Sequence, residues 1–176
     1  MFSRAVSGEI SISLAMTYQA EAIFALTDRN RDYLRRWLPW LDGTRTASDT
    51  KQFLEHQLSR FAKGEALLVT IFYRGSLAGV AAFNSIDHVN RTGFIGYWLG
   101  EEFNGKGIMT SVVRDLIAIG KEYYSLQRIE IRCATGNARS RAIPERLGFQ
   151  HEGTLRRAER VYENWHDLEV YAMLLK

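Results

Sequence analysis

The sequence predicts one mixed α/β domain (α+β in its ordering), built on a six- to seven-stranded sheet with about four helices. Three observations predict it. The chain has 176 residues, 46% of them hydrophobic, a size at which one core buries roughly 70% of the unfolded surface. The first hundred residues alternate helical and strand patterns joined by short turns. After Gly100 the pattern changes to strand, helix, strand, the signature of a parallel crossover.

Each element follows in order. Glu9-Ile10-Ser11-Ile12-Ser13-Leu14 alternates as a first strand. In residues 18–38, Ala22, Ile23, Leu26, Tyr33, Leu34, Trp37 and Leu38 recur at three- and four-residue intervals, and Phe53, Leu54, Leu58 and Phe61 do so in 47–63. Both stretches predict amphipathic helices. Segments 66–73, 76–86 and 92–99 are rich in Val, Ile, Phe, Tyr and Trp, and Arg74-Gly75 and Asn90-Arg91 supply the turns of an antiparallel meander. A third helix carries Val112, Val113, Leu116, Ile117 and Tyr124 on one side and leads into a strand at 128–133. A fourth helix at about 138–147 precedes strands near 149–160 and 167–175. Pro144 inside that helix predicts a kink or a tight first turn, because an interior proline costs about 3 kcal/mol.

No repeat, low-complexity tract or proline-rich linker divides residues 1–176. Cys133 is the lone cysteine, which excludes a disulfide framework and suits a reducing cytoplasm. His56, His88, His151 and His166 show no ligand spacing, so no metal is expected. No apolar run reaches the roughly 18 to 20 residues of a membrane span, and the N-terminus does not read as a signal peptide. A net charge of +3 with pI 9.1 suits a polyphosphorylated cofactor as well as a nucleic acid. No helix-turn-helix or RNA-binding motif accompanies it, so neither DNA nor a membrane is an expected partner.

Asn104-Gly105-Lys106-Gly107-Ile108-Met109-Thr110 lies where a strand ends and a helix begins. Backbone N–H groups at such a place lack partners and converge on one space, which binds anions. Gly105 and Gly107 keep side chains out of that space, Lys106 adds charge, and Thr110 brings a hydroxyl. The same residues could form a plain turn with a helix cap. A P-loop is excluded, since four residues between glycines and a following Lys-Ser or Lys-Thr are missing. A dinucleotide fold fits poorly, with one crossover and Glu130 in mid-strand.

These residues, with Ile95-Gly96-Tyr97-Trp98-Leu99 before the turn and Asn137-x-x-Ser140 and Leu147-Gly148-Phe149 after it, resemble the GNAT acetyltransferase superfamily. More narrowly they resemble its RimJ/RimL-like ribosomal protein N-acetyltransferase branch, and the similarity runs from about residue 8 to the C-terminus. Two departures stand out: the usual Gln or Arg opening the turn is Asn104, and its last Gly or Ala is Met109. Backbone amides make most phosphate contacts, so these changes alter the motif more than the binding. The resemblance implies a V-shaped sheet splayed between the fourth and fifth strands, with acetyl-CoA as cofactor. Its pantetheine arm would run along Trp98 and Leu99, its pyrophosphate on residues 104–110, with Asn137 orienting it or capping the helix.

Acetyl transfer to an amine needs a neutral nucleophile, a stabilised oxyanion and a proton for the departing thiolate. The resemblance puts Ser140 in the proton donor's place and Glu159 in the general base's place. Ser140 could equally cap its helix. Glu159 could equally pair with Arg156, Arg157 or Arg160, and Glu101 and Glu102 are rival bases. Cys133 alternates with Ile129 and Ile131 and reads as a buried small residue, not a nucleophile. Arg114, Arg139 and Arg141 either meet the adenosine phosphates or are simply solvated. Trp37 and Trp40, in Tyr33-Leu34-Arg35-Arg36-Trp37-Leu38-Pro39-Trp40, could wall an acceptor groove or pack as core. Tyr162, Trp165, Asp167 and Tyr171 raise the same choice at its other end, with Asp167 suited to a protonated amine.

The expected activity is direct attack on acetyl-CoA, in a ternary complex, by a primary amine, the N-terminal α-amino group of a protein such as a ribosomal protein. Two other readings remain: acetylation of a small amine (polyamine or aminoglycoside), and a nonenzymatic acyl-CoA-binding regulatory module. The resemblance also allows a homodimer.

Overall fold

The computed structural model describes residues 3–176. Eight strands, β1 (Ser3–Ala5), β2 (Ile10–Leu14), β3 (Leu67–Tyr73), β4 (Ser76–Asp87), β5 (Thr92–Leu99), β6 (Arg128–Ala134), β7 (Gln150–Val161) and β8 (Asn164–Leu174), form one sheet. Their spatial order is β1-β2-β3-β4-β5-β6-β8-β7. The helices are α1 (Ala20–Arg29), α2 (Arg31–Leu34), α3 (Ala47–Ala62), α4 (Ile108–Tyr124) and α5 (Ala138–Leu147).

All neighbouring strands are antiparallel except β5 and β6. That parallel pair is short, running only from Thr92 opposite Arg128 to Ile95 opposite Ile131. Beyond it, Gly96–Leu99 stay on β4 while Arg132–Ala134 follow β8. The sheet therefore opens into a V, and its backbone groups at the opening are free to meet a ligand. β5 and β6 are the fourth and fifth strands of the predicted set, so the opening lies where the resemblance put it.

Two apolar clusters hold the V. On one face α4 buries Ile108, Val112, Val113 and Leu116 against Phe83, Ile95, Ile129 and Ile131. On the other, Ala20 and Ile23 of α1 and Leu54 of α3 cover Leu68, Val80 and Ala82, with Trp98 at the border. The capping box at the start of α3, Thr46 with Asp49, supplies a stop signal for the loop before it.

The structure departs from the sequence reading in four places. The eighth strand is β1, whose three residues have no strand pattern and are held by pairing with β2 and by Arg4 bonding Asp115 (2.9 Å). The helix expected over 18–38 is two, broken at Asn30. The buried Asn30 amide donates back to Leu26 O and accepts from Glu101 N (2.8 Å), joining the end of α1 to the end of β5. The last strand starts at Asn164, earlier than expected, because Tyr162 adopts φ +55° and turns the hairpin tightly. Finally, α5 runs unbroken through Pro144. Among the described residues no helix is long and apolar enough to cross a membrane.

Candidate active site

The mouth of the V is an open cleft with about 90 Å³ of enclosed space. The ends of β5 and α4 and the start of α5 line it, through Tyr97, Trp98, Leu99, Asn104, Met109, Asn137 and Ser140, and the α2 segment closes it with Tyr33, Leu34, Trp37 and Leu38. Two residues that neither helix pattern nor strand pattern could bring together, Trp37 and Ser140, thus share one wall.

The glycine turn borders the cleft, reaching it through Asn104 and Met109. Gly105 and Gly107 have φ of +74° and +72°, and a Cβ on either would meet nothing within 4 Å. Glycine is needed here for the left-handed backbone, and the space beside it is open. The first helical amide to find an acceptor is that of Ser111, on Gly107 O (3.1 Å), so the amides of Ile108, Met109 and Thr110 have no intrahelical partner. These donors at the positive end of a 17-residue helix fit a pyrophosphate. Lys106 points elsewhere: its ammonium donates to Glu102 O (2.7 Å) beside the rings of Tyr73 and Phe103. The turn's attraction for anions therefore rests on its amides. Asn104 braces the turn against α2, donating to Tyr33 Oη (3.0 Å) and Glu101 O. The Thr110 hydroxyl accepts from Arg146 (2.9 Å), which ties α4 to α5.

The cap of α5 is Asn137, whose Oδ1 accepts from Ser140 N (3.2 Å). The Ser140 hydroxyl is thus not the capping group. That hydroxyl donates a long bond to Tyr97 Oη (3.5 Å) and also bonds the Cys133 thiol, while the Tyr97 phenol donates to Ser140 O (3.0 Å). Burial pushes the Cys133 thiol up, against smaller opposing effects of Ser140 and Tyr97, so it is not an activated nucleophile. Arg139 reaches the cleft, whereas Arg141 turns to the far side of α5, onto Thr135 O and Tyr171.

Next to the cleft, the β7–β8 hairpin packs against the α2 segment. Tyr162 Oη donates to Leu38 O (3.1 Å), and the Arg35 guanidinium stacks on the Tyr162 ring (3.7 Å). Trp37 lies 5.9 Å from His166, and His166 is the register partner of Glu159. Glu159 is half-buried; burial raises its carboxyl above the usual range, with His166 opposing. Two of the arginines around it are occupied otherwise, Arg160 by Tyr162 O and Glu163, Arg157 over the Trp165 ring. Trp40 packs on Trp98 (6.4 Å) and is 41% exposed, so it can present a face to a ligand. Asp167 stands apart from the cleft, accepting from Arg157 N (2.7 Å) at the hairpin's irregular stretch. Glu101 and Glu102 sit before the turn, Glu102 paired with Arg29.

Asn30, Tyr97, Arg146 and His166 belong to this site's framework and were not singled out from sequence. Only Tyr97 had a visible signal, its place beside Trp98 at the end of a strand that runs into the glycine turn.

Comparison with known proteins fits this geometry. Residues 14–150 match the acetyltransferase (GNAT) domain model. The chain is 36% identical over 175 residues to the "Putative ribosomal N-acetyltransferase YdaF" of Bacillus subtilis (strain 168), covering 99% of this chain and 96% of that one. Among solved structures it is similar to the ribosomal L7/L12 alpha-N-protein acetyltransferase RimL in complex with coenzyme A, at 28% identity and TM-score 0.96 over 99% of this chain and 98% of that one. It is also similar to the microcin C7 self-immunity acetyltransferase MccE in complex with acetyl-CoA and AMP, at 33% identity and TM-score 0.92 over 97% and 94%. A V-shaped sheet, a glycine turn at the positive end of α4 and these matches lead to one conclusion: the chain belongs to the GNAT acetyltransferase family.

Proposed function

We propose that this enzyme transfers acetyl from acetyl-CoA to the N-terminal α-amino group of a protein, a ribosomal protein being the class that two of its relatives' names carry. The observation that carries the reading is the opening between β5 and β6, with the unpaired helix amides of α4 beside it and Ser140 on its wall. Acetyl-CoA, when bound, supplies the acetyl thioester. Residues 104–110 hold its phosphates through the amides that lead into α4, and Trp98 and Leu99 flank its arm. Glu159, kept proton-hungry by burial, takes the amine proton directly or through water. Ser140 offers its hydroxyl proton to the departing thiolate, and Asn137 keeps α5 in register through its cap. Trp37 and Trp40 grip the residues behind the acceptor's terminus; Asp167, bonded into its own hairpin, has a structural part. The whole chain works as one domain, in the cytoplasm, where ribosomal proteins are.

The test is acetyl-CoA turnover, read as free thiol, against protein N-terminal peptides and a panel of polyamines and aminoglycosides. Peptide-selective turnover is expected. Turnover with small amines alone replaces the acceptor, and tight acetyl-CoA binding with no turnover on any acceptor favours a regulatory module.

A further inference from the structure

Pro144 lies inside α5 and has no backbone N–H, so the carbonyl four residues earlier, that of Ser140, loses its helical donor. The proline ring also crowds that carbonyl outward. Tyr97, reaching across from β5, occupies the gap and donates its phenolic proton to Ser140 O at 3.0 Å. The other backbone group of Ser140 is held from a side chain too, its N–H bonding Asn137 Oδ1 at 3.2 Å. Both polar groups of the Ser140 backbone are therefore clamped by side chains from separate segments. Its hydroxyl makes the long 3.5 Å contact to the same phenol and a weak bond with the Cys133 thiol, so it gives up little when it turns to another acceptor.

We propose that Tyr97 is a positioning residue, whose phenol, docked on the Ser140 carbonyl that Pro144 leaves free, sets the aim of the Ser140 hydroxyl into the cleft. This rests on the reading of Ser140 as proton donor. The unbroken helix around a mid-helix proline finds its reason here: the missing ladder bond is replaced, not lost. Burial pushes the Tyr97 phenol far above the ordinary tyrosine range, so it stays protonated and keeps donating. Tyr97 also spans the V, since β5 and α5 stand on opposite sides of the opening. The phenol therefore ties the two sides of the cleft together at the level of Ser140.

Four variants test this: Tyr97→Phe, Pro144→Ala, the two together, and Ser140→Ala, each measured for kcat and for the KM of acetyl-CoA. Tyr97→Phe is expected to lower kcat roughly 10- to 100-fold, the penalty of a misplaced group, with KM changed by no more than about twofold. Pro144→Ala restores an N–H four residues after Ser140. In the double variant the carbonyl regains a ladder bond, and kcat is expected to return to within about threefold of Pro144→Ala alone. A phenol that merely fills space would show no such rescue. Wild-type kcat in Tyr97→Phe, with Ser140→Ala inactive, overturns the positioning role and leaves the donor intact. A double variant as slow as Tyr97→Phe also overturns it, because the phenol is then needed for itself. Full activity in Ser140→Ala removes both readings. If Tyr97→Phe alone does not fold, the double variant against Pro144→Ala decides in the same way.

Discussion

Glu159, the proposed base, is half-buried and pairs in register with His166. Its sequence neighbours Arg156, Arg157 and Arg160 suggested a surface ion pair, yet Arg157 and Arg160 turn to other partners and the side chain is left facing His166. That outcome depends on the alternation of side chains along β7 and on its irregular pairing between Leu155 and Glu159, neither of which a residue list contains. Glu159→Gln is expected to lower kcat by on the order of 10²-fold or more, the usual contribution of a general base. In the wild type, the acidic limb of kcat/KM should lie above the usual carboxylate range, and the variant should lose it; a limb that persists belongs to the acceptor amine. The stability effect has the opposite sign. A carboxyl whose folded pKa is raised stabilises the fold only while protonated, and that contribution is lost as pH rises through the folded value. Glu159→Gln should therefore melt higher than wild type at pH 7, and equal or lower melting by calorimetry would remove burial as the cause.

At the scale of elements, the turn from β5 into α4 carries a backbone requirement that the sequence reading did not include. Gly105 and Gly107 were legible as anion-binding positions because side chains would obstruct a phosphate. The structure adds that both are left-handed, and that Gly107 is the residue at the N-terminus of α4. Gly107→Ala is accordingly expected to cost about 1–2 kcal/mol in denaturant unfolding, the penalty of an L-residue in that conformation. Since nothing lies within 4 Å of the added Cβ, the loss is conformational. Affinity for acetyl-CoA should fall with it, measured by titration calorimetry, because a relaxed turn no longer aims its amides together. Unchanged affinity would mean that the phosphates are held elsewhere. Helix α3, by contrast, matched its periodicity, and the Thr46–Asp49 capping box marks its start. The 18–38 stretch did not match, since Asn30 serves Glu101 across the molecule and breaks the helix to do so.

For the whole molecule, the cleft is closed by contacts between segments more than a hundred residues apart. Tyr162 at the tip of the β7–β8 hairpin holds the carbonyl of Leu38, and Arg35 stacks on the same ring. Tyr162→Phe removes only the hydroxyl, so the KM for the acceptor is expected to rise by roughly 3- to 10-fold, the worth of one hydrogen bond, with the KM for acetyl-CoA unchanged. Equal changes in both constants, measured by steady-state kinetics, would refute a role confined to the acceptor side. The sequence by itself determined the mixed sheet, the crossover, the family resemblance and the glycine turn, because each is written in local periodicity or in a short motif whose backbone does the work. Only the tertiary structure decided that Asn137 and not Ser140 caps α5, that Glu159 faces His166 while Asp167 serves its own hairpin, that Lys106 leaves the turn to its amides, and that three N-terminal residues add an eighth strand. Each of those outcomes is a choice among partners of similar chemistry, and such choices are settled by which atoms the packed chain brings within hydrogen-bond reach.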